Sequence, residues 1–339
     1  MRRFALLLIL VYCISIITPS LQVGGNDCNK RTIIVNLHRC NAYSDALIGL
    51  NRARANDSSE MSRRSESVLS DMQHAAVTRA PLDASVDIYQ SRAISATSVK
   101  RVLFLGNSYT SANNLPAIFG SIVRNSGKHV PSITAVTPGG ISFRGHVYFP
   151  ATIAAIDAGN WDVVVLQDQS QEPAFAEIDL LQRAEMVQSA AALCQRIRRT
   201  SPHARIIFYE TWARKANYWV NNIPQLEGAN ATEMQARLRK WYGFVARANN
   251  ATVAPVGDAW EYNYRKLHPT RLHTNDNSHP KYSGSYLAGL VIFGKIYGNT
   301  IQSVTWNGTL KANIAQQMRA IAAHTLGTAP SKARTPVWE

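Results

Sequence analysis

The chain has 339 residues, 46% of them hydrophobic, and a formal net charge of +14 at pH 7. That length and apolar content fill one sizeable core and would permit a second domain. The basic residues are scattered, with no run of five or more. They read as solvated faces whose summed field could attract an anionic surface or an acidic polysaccharide, and no nucleic-acid partner is expected.

Met1-Arg2-Arg3, the apolar stretch from Phe4 to Ile17 and then Thr18-Pro19-Ser20 have the charged start, short apolar middle and polar exit of a secretory signal, assigned to residues 1–24. A stretch of about 14 apolar residues falls short of the roughly 20 that cross a bilayer as a helix, so export to the extracellular space is expected and no stable membrane span. Cys13 lies in that signal, which leaves Cys28, Cys40 and Cys194. Cys28 and Cys40 could close a small disulfide loop, whereas Cys194, in Ala190-Ala191-Ala192-Leu193-Cys194, reads as a buried inert thiol. The cysteine spacings do not suit zinc. Asn-x-Ser/Thr sequons at Asn56, Asn230, Asn250 and Asn307 would be surface glycan acceptors in a eukaryotic secretory pathway.

Residues 25–98 are rich in Arg, Ser, Asp and Asn and would bury little, which predicts a flexible or loosely folded N-terminal region. From Val99 the texture changes. Strands are predicted at Arg101 to Leu105, Ile133 to Val136, Val163 to Leu166, Arg205 to Tyr209 and Thr252 to Val256, mostly as continuous apolar runs. Such runs suit a parallel sheet covered on both faces. Helices are predicted at Leu115 to Asn125, Leu180 to Thr200, Thr232 to Asn249 and Ser283 to Tyr297, with Thr232, Glu233 and Gln235 as an N-terminal cap region. The alternation gives an α/β fold, a three-layer α/β/α sandwich, over residues 99–339.

Ligands in such sheets gather beyond the carboxyl ends of the strands. The first strand leads into Gly106-Asn107-Ser108-Tyr109-Thr110, where a serine can present its hydroxyl at the sheet edge. The second is followed by Thr137-Pro138-Gly139-Gly140-Ile141-Ser142, whose glycines free a backbone N–H for close approach. The third ends in Leu166-Gln167-Asp168-Gln169-Ser170, in which Gln169 could donate a side-chain N–H and Asp168 reads as a structural hydrogen-bonding residue. Near the end, Asp276-Asn277-Ser278-His279-Pro280 puts an acid three residues before a histidine, where it can hold the imidazole with Nε2 free to take a serine proton. Each block alone is also an ordinary turn; their order is the signal.

Together the blocks resemble those of the SGNH (GDSL-type) serine hydrolase superfamily, over roughly Val99 to Gly298. The resemblance implies a flavodoxin-like parallel sheet, Ser108 as nucleophile, His279 as general base and acid, Asp276 as its orienter, and an oxyanion hole formed by the N–H groups of Ser108 and Gly140 with Gln169. It calls for no metal and no cofactor. Two positions depart from the family pattern: Asn107 stands where the name-giving motif has Asp, and Gln167 and Gln169 align with the Gly and Asn of the third block. Subgroups with a Gly-Asn-Ser-Tyr/Phe-Thr block carry this Gln form. No Gly-x-Ser-x-Gly elbow, His-Glu-x-x-His helix, phosphate-binding loop or dinucleotide fingerprint competes.

The expected partner is a carboxylic ester. O-acetyl groups on carbohydrate are one candidate, with the aromatic segment Tyr209 to Trp219 available either to stack on sugar rings or to pack the core. Lipid or short-chain acyl esters are a second. A non-catalytic carbohydrate-binding or cell-surface protein on the same scaffold is the alternative of a different class.

Overall fold

A computed structural model describes residues 99–215, 230–298 and 300–327, all within the unit Val86–Glu339. The secretory signal, the N-terminal region 25–98, the Cys28–Cys40 pair, Asn56, Tyr218 and Trp219 lie outside the described residues.

Five parallel strands form one sheet in the order β2-β1-β3-β4-β5: β1 Arg101–Leu105, β2 Ser132–Val136, β3 Val163–Leu166, β4 Arg205–Tyr209 and β5 Thr252–Ala254. The central strands are buried throughout, with Val102 to Leu105 and Val163 to Leu166 at 0–1% exposure. Both faces of a parallel sheet need cover, which is why these runs are apolar at every position and not at alternate ones. Edge strand β2 is only half-buried and correspondingly mixed in composition.

Helices α1 Ser108–Ser111, α2 Leu115–Asn125, α3 Phe143–Tyr148, α4 Pro150–Asp157, α5 Glu172–Phe175, α6 Leu180–Thr200, α7 Ala231–Ala248, α8 Val256–Tyr264, α9 Tyr282–Tyr297 and α10 Ala312–Gly327 complete the described elements. Helices α2, α8, α9 and α10 pack together, while α3, α4, α5, α6 and α7 form a second group, giving the α/β/α layering. Helix α9 is apolar on nearly its whole circumference and is buried accordingly.

The caps follow local chemistry. Asp179 accepts from the N–H groups of Leu181 and Gln182 at the start of α6, and Arg198 and Arg199 lie in its last turn, opposite in sign to the helix dipole there. Helix α7 is capped by Asn230, whose side chain accepts from the Glu233 N–H at 3.0 Å, and not by Thr232. The fifth strand stops at Ala254 and Val256 opens α8, because Pro255 has no N–H to continue the ladder. The predicted strand to Val256 was therefore two residues too long, and α1, α3, α4, α5, α8 and α10 had no predicted counterpart.

Register decides where the site lies. Leu105 pairs with both Val136 and Leu166, Leu166 with Phe208, and Tyr209 with Ala254. The residues that follow, Gly106, Thr137, Gln167, Glu210 and Pro255, are thus aligned along one edge of the sheet.

Candidate active site

At the end of β1 the chain turns through Gly106 into the one-turn helix α1. A Cβ on Gly106 would meet Gln167 Oε1 at 2.6 Å, so the close approach of β3's end requires glycine. Asn107 is the N-cap of α1, its Oδ1 accepting from the Tyr109 N–H at 3.1 Å. That cap leaves Ser108 as the first helical residue, and its hydroxyl lies 2.8 Å from His279 Nε2. His279 Nδ1 lies 2.6 Å from Asp276 Oδ2. With the Nδ1 proton donated to the carboxylate, Nε2 is left to accept the serine O–H.

The acid is held as tightly as the histidine. Asp276 Oδ1 accepts from the Thr274 hydroxyl at 2.6 Å and from the backbone N–H groups of Ser278 and His279 at 2.9 Å each. Burial works against ionisation, but these donors together with the His279 ring hold the Asp276 carboxyl well below the usual carboxylate range. The pair is open to solvent, with side-chain exposures of 41% for His279 and 45% for Asp276.

What lies beneath this loop is aromatic. Tyr109 stacks on Trp212 with ring centroids 4.5 Å apart, and Trp212 on Trp260 at 3.9 Å, both nearly parallel. The His279 ring stands edge-on to Tyr109. Tyr109 and Trp212 also carry polar handles that grip the histidine loop: the Tyr109 hydroxyl pairs with Ser278 Oγ at 2.7 Å, and the Trp212 indole N–H donates to the Ser278 carbonyl at 2.9 Å. Trp212 is fully buried in this column, which assigns it to packing and not to sugar stacking. Its neighbour Ala213 is fixed from both sides, its N–H donating to Gln235 Oε1 and its carbonyl accepting from His273 Nε2. The Lys215 N–H then donates to the Asn277 carbonyl at 3.0 Å, a second tie between the end of β4 and the histidine loop.

Gly139 and Gly140 lie in a turn in which the Ile141 N–H reaches back to the Pro138 carbonyl at 3.5 Å. Gly140 adopts φ +69°, a conformation open to glycine and strained for most other residues. Asn107 Nδ2 donates to the Ile141 carbonyl at 2.9 Å, which draws this loop against the serine turn. Neither the Ser108 nor the Gly140 N–H has an acceptor among the described residues.

The two glutamines have parts that the sequence did not separate. Gln167 meets the serine turn: its Oε1 accepts from the Asn107 N–H and the Thr110 hydroxyl, and its Nε2 donates to Asn107 Oδ1. Gln169 instead folds its Oε1 back onto the N–H groups of Gln171 and Glu172 as a loop anchor, and no hydrogen bond ties it to Ser108 or Gly140. These bonds take up the Gln169 carbonyl oxygen and not the amide N–H that the sequence offered to an oxyanion.

One residue near the site escaped the sequence reading altogether. His146 is fully buried, with Nε2 3.0 Å from the Gly106 carbonyl and Nδ1 2.7 Å from Thr152 Oγ1. A carbonyl can only accept, so Nε2 carries the proton and Nδ1 accepts from the threonine. Burial pushes its pKa down to about 4 despite that carbonyl, and it stays neutral at physiological pH. Cys194 is buried and free, and burial pushes its thiol up to about 12. Among the described residues, no group of three or more His, Cys, Asp or Glu is placed to hold a metal ion.

No protein-family model matches the chain, and no curated protein matches it. Solved structures do. A DUF4886 family protein from Bacteroides uniformis is 17% identical with a TM-score of 0.52, over 67% of this chain and 94% of that one. Also similar are a lipase/acylhydrolase from Enterococcus faecalis, at 15% identity and a TM-score of 0.43 over 59% of this chain and 96% of that one, and a catalytic variant of Axe2, an acetylxylan esterase from Geobacillus stearothermophilus, at 15% and 0.42 over 58% and 94%. At these identities the likeness is one of fold.

Proposed function

We propose that this chain is a secreted serine esterase that hydrolyses carboxylic esters through an acyl-enzyme. The observation that carries the reading is the relay from Ser108 Oγ to His279 Nε2 at 2.8 Å and from His279 Nδ1 to Asp276 Oδ2 at 2.6 Å, at the carboxyl edge of the sheet. Ser108 attacks the ester carbonyl while His279 takes its proton; His279 then returns that proton to the departing alcohol, and water repeats the sequence to release the acid. The N–H groups of Ser108 and Gly140 are the oxyanion donors in this reading, each contributing on the order of 3 kcal/mol to the transition state.

Small acyl groups on a bulky polar carrier fit best. The solvent-open His279 and Asp276 accommodate a large alcohol. A groove of about 400 Å³ beside the serine helix, lined mainly by Pro116, Ala117, Ile133 and Ala135 with Ser111, Asn114 and Thr137, contains none of Ser108, His279 and Asp276 and does not choose between acyl groups. The open setting of His279 and Asp276 is what favours O-acetylated carbohydrate over lipid in this reading.

The test incubates the secreted protein with p-nitrophenyl acetate and with acetylated xylan beside Ser108→Ala, and labels both with a fluorophosphonate. Hydrolysis and labelling by the wild type alone are expected. Silence from the wild type in all three assays would leave the carbohydrate-binding alternative in its place.

A further inference from the structure

We infer that Asp168 is a positioning residue that, through its buried carboxyl, fixes the glycine loop at the distance from Ser108 that an oxyanion requires. The inference rests on the serine-esterase reading and deepens it.

Asp168 follows the central strand β3 and is 1% exposed. Its Oδ1 accepts two backbone N–H groups, from Phe143 at 2.7 Å and from Gln169 at 2.8 Å. Its carbonyl accepts from Asn107 Nδ2 at 3.4 Å and from Gln167 Nε2, and its own N–H donates to the Tyr242 hydroxyl at 3.1 Å. One residue thereby joins the serine turn, the end of the glycine loop, the loop after β3 and helix α7.

The glycine loop has few other attachments. At its start the Val136 carbonyl accepts from the Gly106 N–H at 3.1 Å; at its end the Ile141 carbonyl accepts from Asn107 and the Phe143 N–H donates to Asp168. Gly140 lies three residues before that last bond. Without it, the segment from Gly140 to Phe143 would be held to the serine turn by the Asn107 amide alone, with Ser142 tied only into α3 and the buried Phe143 ring edge-on to Phe208.

The other carboxyl oxygen, Oδ2, is buried with no hydrogen-bond partner. An ionised oxygen left unpaired there is costly, whereas an acid whose Oδ1 acts as a carbonyl acceptor keeps both N–H bonds and carries no charge. Burial, with Glu172 in the same sense, pushes the Asp168 pKa up to about 8 against the opposing Phe143 and Gln169 N–H groups. The titratable neighbours are Glu172 on α5 and Tyr242 on α7; Arg144, next to Phe143, is paired with Glu185. A neutral acid holds the loop without setting a negative charge beside the one that develops on the substrate.

The experiment compares wild type, Asp168→Asn and Asp168→Ala for kcat and KM on p-nitrophenyl acetate, inhibition by an arylboronic acid, and kcat against pH. Asparagine reproduces the neutral acid's acceptor, so its kcat at pH 7 should stay within about threefold of wild type. Alanine should lower kcat by roughly 30- to 100-fold with KM within about threefold, and weaken the boronate by a similar factor. Wild-type kcat should fall above about pH 8 and that of Asp168→Asn should not, a comparison that decides the matter even if the alanine variant fails to fold. Unchanged kcat in a folded Asp168→Ala, an asparagine variant as impaired as alanine, or identical pH profiles would each overturn the inference. A wild type that neither hydrolyses the ester nor takes the fluorophosphonate would instead remove the esterase reading on which it rests.

Discussion

The hydroxyl of Thr274 donates to Asp276 Oδ1 at 2.6 Å, two residues away, so the acid that orients His279 is itself oriented by a side chain on its own loop. Thr274→Val keeps the shape and removes the donor. Asp276 should then move up toward the ordinary carboxylate range, and His279 should be less firmly held. We expect kcat/KM to fall about tenfold and stability at pH 7 by about 0.5–1.5 kcal/mol. Because a depressed carboxyl stabilises above its unfolded pKa and loses that contribution as pH falls, the stability gap between wild type and variant should close in strong acid. Because Asp276 is held well below the usual carboxylate range, the gap is expected to close only below that range, and a gap that does not narrow there would assign the effect to packing.

Removal of the relay groups sets the scale. Ser108→Ala and His279→Ala should each lower kcat by about 10⁴-fold or more with little change in Tm, and the double variant should be no worse than either single one, since the groups act as a unit. Additive losses in the double variant would mean that the two side chains do not share one step.

His146 permits a pH experiment with a definite sign. Its folded pKa of about 4 lies below the ordinary 6.5, so between those values the unfolded chain binds a proton that the folded chain refuses. The wild type should lose stability relative to His146→Asn as pH falls from about 6.5 to about 4, by as much as about 3 kcal/mol, and the difference should be flat above pH 7. Chemical denaturation of both proteins across that range measures it directly, and a constant difference would mean that His146 is not held neutral. The variant isolates His146 from the buried carboxyls, whose raised pKa values act in the opposite direction.

The grip on Ser278 should be visible in Trp212→Phe. Phenylalanine retains a ring between Tyr109 and Trp260 but cannot donate to the Ser278 carbonyl. A cost of about 1–3 kcal/mol is expected, with a larger loss in kcat than in substrate affinity. Equal effects on kcat and KM would indicate general loosening.

Cys194 should resist alkylation. Its burial and its pKa of about 12 predict that iodoacetamide at pH 8 leaves the peptide containing it unlabelled until denaturant is added, as mass mapping would record.

The main architecture was legible in the sequence for a physical reason. Strands buried on both faces must be apolar at successive positions, and Val163 to Leu166 is such a run, so strand positions and the residues just beyond them could be read directly. The Asp276–His279 spacing was legible because both residues lie on one loop. The supports were not. Asn107, Gln167 and Asp168 meet only because two parallel strand ends, some 60 residues apart in the chain, are brought into register. His146 is a single histidine on a six-residue helix, with no periodicity to mark it. The Asn230 cap was missed because Thr232, two residues on, satisfies the same compositional rule.

The parallel indoles of Trp212 and Trp260 give the molecule an optical property as well as a mechanical one. Two identical chromophores with centroids 3.9 Å apart share their excited states, so their absorption couples and their circular dichroism and emission depend on the stack remaining closed. Tyr109 extends the same stack to the residue next to Ser108, and Trp212 holds the carbonyl of Ser278 beside His279. A displacement of the histidine loop would thus be transmitted to the ring pair, and the protein carries an intrinsic spectroscopic gauge of whether His279 is seated, readable without any added label.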